Sequence, residues 1–388
     1  MPRASDETAE PLIAPAVRQR LRRQLIRWYE ANGRPLPWRQ TDDAYRIWVS
    51  EIMLQQTTVA AVIPYYERFT AAFPTVGSLA AAEEDDVLRL WEGLGYYSRA
   101  KNLRRAAQRI VAEHDGRFPS DVAPLRRLPG VGRYTAGAIA SFAFDRPAPI
   151  VEANTERLYA RLIAYAGPLT NAAGKRALWQ VAEELVPRAK PGRFNQAVME
   201  LGSQICRPRD PKCDDCPVRS CCRAFAEGRV ADIPAKKPKA EVTERTEAAL
   251  VLRNGGQVLI RRRPADEQWA GLWDFPRCPV PNPAAVPKIA GQNVPVLPGL
   301  FKDLDAAASE LIGQPFSVDS WIASFTHGIT RYRIRVLVVA GPVASRRAAD
   351  AAEHQWVDPT DLDRRPLTRP ARRIADLLTG TAKSTPDR

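Results

Sequence analysis

The stretch Leu128-Pro-Gly-Val-Gly-Arg-Tyr-Thr-Ala-Gly-Ala-Ile-Ala-Ser141 decides the fold of the first half of the chain, and Pro149-Ile-Val-Glu-Ala-Asn154 follows it shortly. Its first two glycines bracket one valine, which predicts a tight hairpin with outward-pointing backbone amides. The apolar run after the hairpin is helical, so N–H groups lie at a helix N-terminus, where they bind phosphate. A phosphate-binding site of this kind positions a protein on nucleic acid without reading the base sequence. We therefore expect a nucleic-acid partner, with Glu152 as a candidate for chemistry on it.

Composition limits the kinds of partner and chemistry. The 388 residues include 57 Lys and Arg against 44 Asp and Glu, a formal net charge of +13. This excess favours a polyanionic partner, and ordinary solubility is the alternative. Because the chain has only three histidines, carboxylates or cysteines must carry any chemistry. No apolar run approaches the ~18 residues of a membrane span and no signal-peptide pattern opens the chain, so we expect a cytoplasmic protein without a membrane partner.

The organisation of the chain changes near its middle. Residues 1–16 are rich in Pro, Ala and acidic residues and are predicted to be disordered. Helical patterns separated by short Gly and Pro punctuation predict an all-helical domain over residues 17–228. A Lys-, Pro- and Glu-rich linker is predicted at 229–246. Beyond it the apolar period becomes two, which predicts an α+β domain over 247–380 and a loose tail at 381–388.

Several predicted elements position the candidate residues. One helical pattern, which contains Glu51, runs from about Asp43 to Pro64, and another helix begins near Asn154. In the second domain, strands are predicted at 248–252, 258–261 and 333–339, and helices at 304–312 and 370–378. The two kinds of pattern predict two separate hydrophobic cores.

A dense cysteine cluster follows the helical domain. Its spacing is C-x6-C-x2-C-x5-C, formed by Cys206, Cys213, Cys216 and Cys222. Four thiols this close together predict a metal centre rather than disulfides. Zinc is the generic occupant of four cysteines, but the compact, proline-shaped loop favours a [4Fe-4S] cluster. Cys221 is a spare thiol that could replace the fourth ligand.

Four longer motifs accompany the hairpin and the cysteines: Leu36-Pro-Trp-Arg39, Trp48-Val-Ser-Glu-Ile-Met-Leu-Gln-Gln-Thr57, Trp91-Glu-Gly-Leu-Gly-Tyr-Tyr-Ser-Arg99 and Phe194-Asn-Gln-Ala-Val-Met-Glu-Leu-Gly202. Together they resemble the MutY-type adenine DNA glycosylases of the helix-hairpin-helix endonuclease III superfamily, over about residues 17–380. The resemblance implies a monofunctional, monomeric DNA N-glycosylase of base excision repair. Its implied partner is double-stranded DNA in which adenine is mispaired with 8-oxoguanine or, more weakly, with guanine.

Two carboxylates in different environments suit this chemistry. Glu51 lies mid-helix among apolar residues, where desolvation should raise its pKa and allow it to protonate adenine N7. Glu152 precedes a helix, whose dipole should favour the ionised form that stabilises an oxocarbenium ion or bonds to it. The alternative for Glu152 is a plain helix cap.

The chain departs from the family at this carboxylate. The family ordinarily has a Val-Asp-Gly-Asn pattern, whereas this chain has Val151-Glu-Ala-Asn154. An added methylene moves a carboxylate by about 1 Å, which can lower a rate about 10²-fold, so either the local backbone compensates or turnover is weak. Tyr134 stands where bifunctional relatives carry a Schiff-base lysine, and a phenol forms no imine, so strand cleavage should be absent or slight. Its hydroxyl and the Asn154 amide are expected to hydrogen-bond the catalytic carboxylate.

The resemblance assigns further contact residues. Arg39 and Gln196 match positions that line the adenine pocket, while Gln56, Leu94 and Tyr96 match residues that probe the duplex beside the lesion. The aromatic face of Tyr96 would replace lost base stacking. Taken singly, each of the five fits a structural place in the core or on the surface better than a contact role. The residues expected to hold DNA are in the hairpin and the cysteine loop: Gly130, Val131, Gly132, Arg207, Arg209 and Lys212.

The second domain resembles a MutT-like (Nudix-like) domain that in this family helps to recognise 8-oxoguanine. The resemblance rests on Arg261-Arg-Arg-Pro264 and Leu272-Trp-Asp-Phe-Pro276. The glutamate pairs that hold divalent metal in Nudix hydrolases are missing. We therefore expect this domain to recognise the lesion and not to act as a hydrolase. The triplet Phe325, Thr326 and His327 matches the family's Phe-Ser-His lesion-reading loop, with Thr in place of Ser. A structural strand-end histidine is the alternative for His327.

Two other functions fit parts of the pattern. A related mismatch glycosylase that removes thymine or uracil can also carry Tyr at the lysine position, although the MutT-like domain argues against it. A non-catalytic lesion-binding protein would explain the unusual Glu152, although the presence of both Glu51 and Tyr134 argues against that.

Overall fold

The computed structural model describes residues 11–235, 241–280, 282–283, 298–329, 331–346 and 353–381. Its contacts divide the chain into two units. One unit contains the described residues up to Ala82 together with those between Lys101 and Pro238, and the other contains Glu83–Ala100 together with those beyond Lys239. No helix in the described part of the chain has the length and apolar character of a membrane span.

Helices build almost all of the first unit. The chain's α-helices are α1 (Pro15–Asn32), α2 (Ala44–Met53), α3 (Val59–Ala72), α4 (Val76–Ala81), α5 (Glu84–Trp91), α6 (Ser98–His114), α7 (Val122–Leu125), α8 (Arg133–Phe144), α9 (Ala153–Leu162), α10 (Ala172–Leu185), α11 (Pro191–Gln204), α12 (Arg223–Ala226), α13 (Pro298–Ile312) and α14 (Arg369–Thr379). Short 3-10 turns lie at Pro37–Arg39, Arg219–Cys221 and Pro359–Arg364. Of the α-helices, α5, α13 and α14 belong to the second unit.

The long helix predicted from Asp43 to Pro64 is two helices. Asp43 caps α2 by accepting a hydrogen bond from the Tyr45 amide, and α2 ends at Met53. Gln56 then adopts a left-handed conformation with φ of 59°, which interrupts the helical path before α3 begins at Val59. Glu51 therefore lies in the last turn of α2 and not in the middle of a long helix.

Two predicted boundaries also need correction. The predicted disordered start is wrong for residues 11–16, because the backbone amides of Leu12 and Ile13 donate to the Glu184 carboxylate over 2.9 and 3.1 Å, and α1 begins at Pro15. The predicted linker is too long at both ends. Ile233 is buried in the first unit's core, and the first strand of the second unit begins at Thr243. Residues 236–240 of the predicted linker and 382–388 of the predicted tail lie outside the described part.

A seven-stranded mixed sheet forms the second unit. Its strands are β1 (Thr243–Asn254), β2 (Gln257–Arg262), β3 (Trp273–Asp274), β4 (Arg277–Pro279), β5 (Ser320–Ile329), β6 (Tyr332–Pro342) and β7 (His354–Val357). The order is β3-β2-β1-β6-β5, with β4 also pairing with β1 and β7 with β2. Only the β1–β6 pair is parallel among the described strands. The predicted α+β character and the predicted strands and helices of this half are confirmed.

Both faces of this sheet are buried. Along β1, Ala249 and Val251 pack in the core that contains Ile374 of α14. The alternate residue Leu250 packs in the core that contains Leu304 of α13. Because side chains alternate across a strand, covering both faces requires a continuous apolar run, which explains the sequence Ala248-Ala-Leu-Val-Leu252.

Candidate active site

The glycine hairpin leads directly into α8, as predicted. Gly130 has φ of 74°, and Gly132 is the N-cap residue of α8. The amide of Val131, however, donates to the Leu128 carbonyl over 3.1 Å, so it is not among the outward-pointing donors that were expected. The N–H groups of the first turn of α8 are candidates for holding a phosphate.

Glu51 forms the first part of the site. The residue is 3% exposed, and the Tyr134 phenol, from α8, donates to its Oε2 over 2.6 Å. Burial raises the pKa of Glu51 to about 7, the Tyr134 bond opposes this rise, and the Glu152 charge adds to it. Burial also holds the pKa of Tyr134 well above its ordinary value, so the phenol remains a donor. A carboxyl that is half protonated near neutral pH suits a general acid.

Glu152 forms the second part, and it is the N-cap residue of α9. Its Oε2 accepts from the backbone N (2.9 Å) and side-chain Nδ2 (3.2 Å) of Asn154, and its Oε1 accepts from the Thr155 amide (2.9 Å). Burial raises the pKa of Glu152, while the amide bonds and the Arg157 charge oppose the rise. The net upward direction corrects the expectation from the helix dipole alone, because desolvation is the largest effect. The prediction that the Tyr134 hydroxyl bonds the same carboxylate as the Asn154 amide is wrong, because Tyr134 donates to Glu51 whereas Asn154 donates to Glu152.

Arg157 connects this second carboxylate to the cysteine loop. Its Nη2 donates to Asn154 Oδ1 over 3.1 Å and to the Gly202 carbonyl over 2.7 Å, and its Nε donates to the Cys206 carbonyl over 2.6 Å. The absence of a side chain at Gly202 lets α11 pack close to Asn154 of α9, because a Cβ at that position would lie 2.9 Å from the Asn154 carbonyl oxygen. The orientation of Asn154, and through it that of Glu152, is thus fixed from the cysteine side.

Arg39 and Gln196, predicted to contact adenine, line one pocket of about 570 Å³ in the first unit. The Arg39 guanidinium donates to Glu200 over 2.8 Å and lies 5.6 Å from the centre of the Tyr29 ring. The Tyr29 hydroxyl donates to Gln196 Oε1 over 2.9 Å. The positive charge of Arg39 also lowers the pKa of Glu51, which places the pocket within electrostatic reach of the acid.

The three predicted duplex probes differ in exposure. Gln56 is exposed and has a left-handed backbone. In the second unit, Tyr96 is 48% exposed and also left-handed, with φ of 49°. Leu94 is only 7% exposed, which contradicts its prediction as a side chain presented to the duplex. The Arg99 guanidinium holds this loop by donating to the Leu94 carbonyl over 3.1 Å.

The predicted lesion-reading loop is a strand. Phe325, Thr326 and His327 lie in β5, because they pair in regular register with β6. Phe325 is 4% exposed and belongs to the core, whereas Thr326 is exposed. The His327 ring lies 5.6 Å from that of Trp269, and its Nε2 is buried without a hydrogen-bond partner among the described residues. Burial and the Arg277 charge lower the pKa of His327 to about 4, so the ring is neutral at physiological pH.

The four predicted cysteine ligands line one cavity, together with Arg161 and Lys212: Cys206, Cys213, Cys216 and Cys222. The guanidinium of Arg161 donates to Cys206 Sγ over 3.2 Å. Cys221 lies elsewhere, buried and within 3.4 Å of the Arg20 guanidinium, so it is not a substitute ligand in this arrangement. Within the described ranges, no three metal-ligating side chains converge as one metal ion requires.

The basic residues of the cysteine loop are unequal. Arg207 donates to the Asp210 carboxylate over 2.9 Å, which neutralises part of its charge. Arg209 and Lys212 are exposed. Of the three basic residues of this loop that were predicted to hold DNA, Arg209 and Lys212 are, among the described residues, the two without an acidic partner at Asp210.

Comparisons with known proteins match the two halves of the chain separately. Residues 49–184 match the HhH-GPD superfamily of base excision DNA repair proteins, and residues 248–377 match the NUDIX domain. The adenine DNA glycosylase of Buchnera aphidicola subsp. Schizaphis graminum is 39% identical over 253 residues, which are 65% of this chain and 73% of that protein. The chain belongs to the adenine DNA glycosylase family. It is accordingly a DNA N-glycosylase of the base excision repair class.

Other relatives extend this comparison. The adenine DNA glycosylase of Rattus norvegicus is 43% identical over 268 residues, which are 66% of this chain and 51% of the rat protein. The chain therefore spans about half the length of the rat relative. A solved structure described as a thermostable thymine-DNA glycosylase is 28% identical with a TM-score of 0.50, covering 55% of this chain and 98% of that one.

Sequence patterns alone do not single out two buried charged residues of this adenine DNA glycosylase family member. Glu200 is completely buried and Arg157 is 8% exposed. Glu200 lies one helical turn after Gln196, so their shared helix face was the available signal. Arg157 lies three residues after Asn154 on α9, which gives the same kind of signal.

Proposed function

We propose that the protein excises adenine paired with 8-oxoguanine, or more weakly with guanine, by hydrolysis of the N-glycosidic bond. Family membership supports adenine as the base. The observation that carries the mechanism is the buried Tyr134–Glu51 hydrogen bond, with the pKa of Glu51 raised to about 7 by burial. This carboxyl holds a proton near neutral pH that an exposed glutamate has lost.

Glu51 is the general acid in this proposal. The Tyr134 phenol occupies Oε2, so the transferable proton resides on Oε1. Transfer of that proton to adenine N7 lets the C1′–N9 bond break, with its electron pair leaving on adenine. The nucleotide must first leave the base stack, because neither the bond nor N7 is accessible inside a duplex.

Glu152 stabilises the cationic sugar that remains. Its oxygens accept three N–H bonds from Asn154 and Thr155, which hold the carboxylate in one orientation. Water then attacks C1′ and loses a proton, which completes hydrolysis. With Tyr134 at the lysine position no imine forms, so the enzyme is monofunctional.

The cysteine loop holds a [4Fe-4S] cluster in this proposal. Four thiols around one cavity, with the Arg161 guanidinium at Cys206 Sγ, suit an anionic iron–sulfur group. Binding a cluster through these four thiols would fix the loop that carries Arg209 and Lys212. The purified protein should be brown with broad visible absorbance, whereas a colourless protein containing zinc would contradict this assignment.

The second unit recognises 8-oxoguanine, with the protein acting as a monomer. The neutral His327 ring has a buried, unpartnered Nε2 beside the exposed Thr326 in the part of the chain that the structure describes. These two polar groups support a hydrogen-bonding role for β5. Phe325 supports them from the core.

One assay tests the proposed function. Duplexes containing A:8-oxoG, A:G, G:T or G:U are incubated with the protein and treated with alkali, which breaks strands at abasic sites. Cleavage confined to the adenine strand is expected, faster opposite 8-oxoguanine. Cleavage at thymine or uracil would instead favour a mismatch glycosylase that removes those bases; the 28% identical structure is described as a thymine-DNA glycosylase. Absence of cleavage in all four would favour a non-catalytic lesion-binding protein.

A further inference from the structure

Glu200 is a buried carboxylate with an unusual number of cationic partners. Its side chain is 0% exposed, while the partner guanidinium of Arg39 is 11% exposed and that of Arg34 is 36% exposed. A carboxylate is rarely buried completely unless it is paired. Two arginines converge on this one.

The two carboxylate oxygens are used differently. Oε2 accepts from Arg39 Nη2 and from Arg34 Nη2, both over 2.8 Å. Oε1 accepts from Arg34 Nε over 2.6 Å, from the Arg34 amide over 3.2 Å and from Gln204 Nε2. Arg39 therefore depends on Oε2 alone. Although burial opposes it, the bonds from Arg34 and Arg39 hold the pKa of Glu200 at about 2, so the carboxylate stays ionised.

Arg39 reaches the pocket from a tightly defined position. Besides its bond to Glu200, it donates to the Arg34 carbonyl over 3.3 Å and lies over the Tyr29 ring. A free arginine side chain loses rotamer freedom when it binds, and fixing the guanidinium in advance removes that loss from binding. The pocket side of Arg39 faces the same cavity as Gln196.

We propose that Glu200 is a positioning residue for adenine recognition, which holds the Arg39 guanidinium in the orientation that contacts the extruded base. Glu200 does not touch the base itself. This inference rests on the proposed function, because it requires adenine to enter the Arg39 pocket. It predicts that Glu200 matters when a base is present and does not matter when the base is missing.

The test compares two duplexes that differ only in the base. Both place 8-oxoguanine in one strand. Opposite it, one has a 2′-fluorinated deoxyadenosine that resists cleavage, and the other has a tetrahydrofuran that mimics an abasic sugar. For Glu200→Gln in the full-length protein, the dissociation constant of the adenine duplex should rise roughly tenfold or more, and that of the tetrahydrofuran duplex should change less than about twofold. An equal loss on both duplexes would overturn the proposal.

Gln204→Ala is the matched control. Gln204 donates to Oε1, the oxygen that Arg39 does not use, and it does not line the pocket. Its removal should leave both dissociation constants within about twofold of wild type. If this variant weakens adenine binding as strongly as Glu200→Gln, then packing around Glu200 and not the orientation of Arg39 is responsible.

A double-mutant cycle shows whether Glu200 acts through Arg39. Arg39→Ala and Arg39→Ala/Glu200→Gln should bind the adenine duplex equally, because the second change has no guanidinium left to orient. Losses that multiply would contradict the proposal. Should Glu200→Gln fail to fold, Glu200→Asp retains the charge and retracts it by one methylene, and it should give an intermediate, adenine-specific loss. Excision by the wild-type protein tests the proposed function separately.

Discussion

Glu51 and Glu152 begin with the same chemistry and are made different by their surroundings. Both are withdrawn from solvent, and burial raises the pKa of each. Glu51 receives one hydrogen bond, from a phenol, whereas Glu152 receives three N–H bonds at the start of α9. Donors to a carboxylate favour its ionised form, which is why we propose Glu152, with three donors, as the anion and Glu51, with one, as the acid.

The largest expected effect comes from removing the acid. Glu51→Gln keeps an acceptor for Tyr134 but has no proton to transfer to the base. Single-turnover excision from an A:8-oxoG duplex should fall about 10³- to 10⁴-fold, near the upper end for general acid catalysis. Duplex affinity should be almost unchanged, which gel-shift titration can check. A variant with more than a tenth of the wild-type rate would remove Glu51 from the acid role.

The next largest effect comes from removing the anion. Glu152→Gln should lower the single-turnover rate about 10³-fold, because the developing sugar cation loses its counter-charge. Glu152→Asp keeps that charge and should retain excision, and its rate relative to wild type also measures what the extra methylene does. An undiminished rate in the Gln variant would leave Glu152 as a helix cap alone.

Removing the Glu51 carboxyl should also change how the stability of the protein depends on pH. The folded pKa of Glu51 is about 7, against an ordinary 4.5. A raised carboxyl pKa contributes stability that is complete below pH 4.5 and is lost as the pH rises through 7. Relative to wild type, the free energy of unfolding of Glu51→Gln should therefore improve by roughly 3 kcal/mol between pH 4.5 and pH 8. Parallel urea titrations of both proteins measure this difference, and a constant difference would contradict the raised pKa.

The smallest expected effect concerns the Tyr134 bond. That bond opposes the rise in the pKa of Glu51, so Tyr134→Phe should move the alkaline fall in the excision rate to higher pH, by up to about one unit. The rate plateau below the fall should be largely retained. A fall at lower pH would show that the phenol stabilises the protonated carboxyl instead.

The same contrast explains what the sequence could predict. The Glu152 cap and the start of α9 depend on neighbouring residues, so local pattern was sufficient apart from the net direction of the pKa. The bond from Tyr134 to Glu51 spans 83 residues and depends on how α2 packs on α8, which no local pattern contains. Burial of Leu94 and of Glu200 is likewise a tertiary property. In the second unit, the long strands were predictable from their continuous apolar runs, whereas β3 has two residues and β4 three, too few to form such a run.

The pH dependence of single-turnover excision on an A:8-oxoG duplex, from pH 5 to pH 9 at saturating enzyme, tests the central claim most directly. If Glu51 is the proton donor, the rate is constant at low pH and falls tenfold per unit above about pH 7, the pKa of its buried carboxyl. A rate that stays constant from pH 6 to pH 9 would contradict the account.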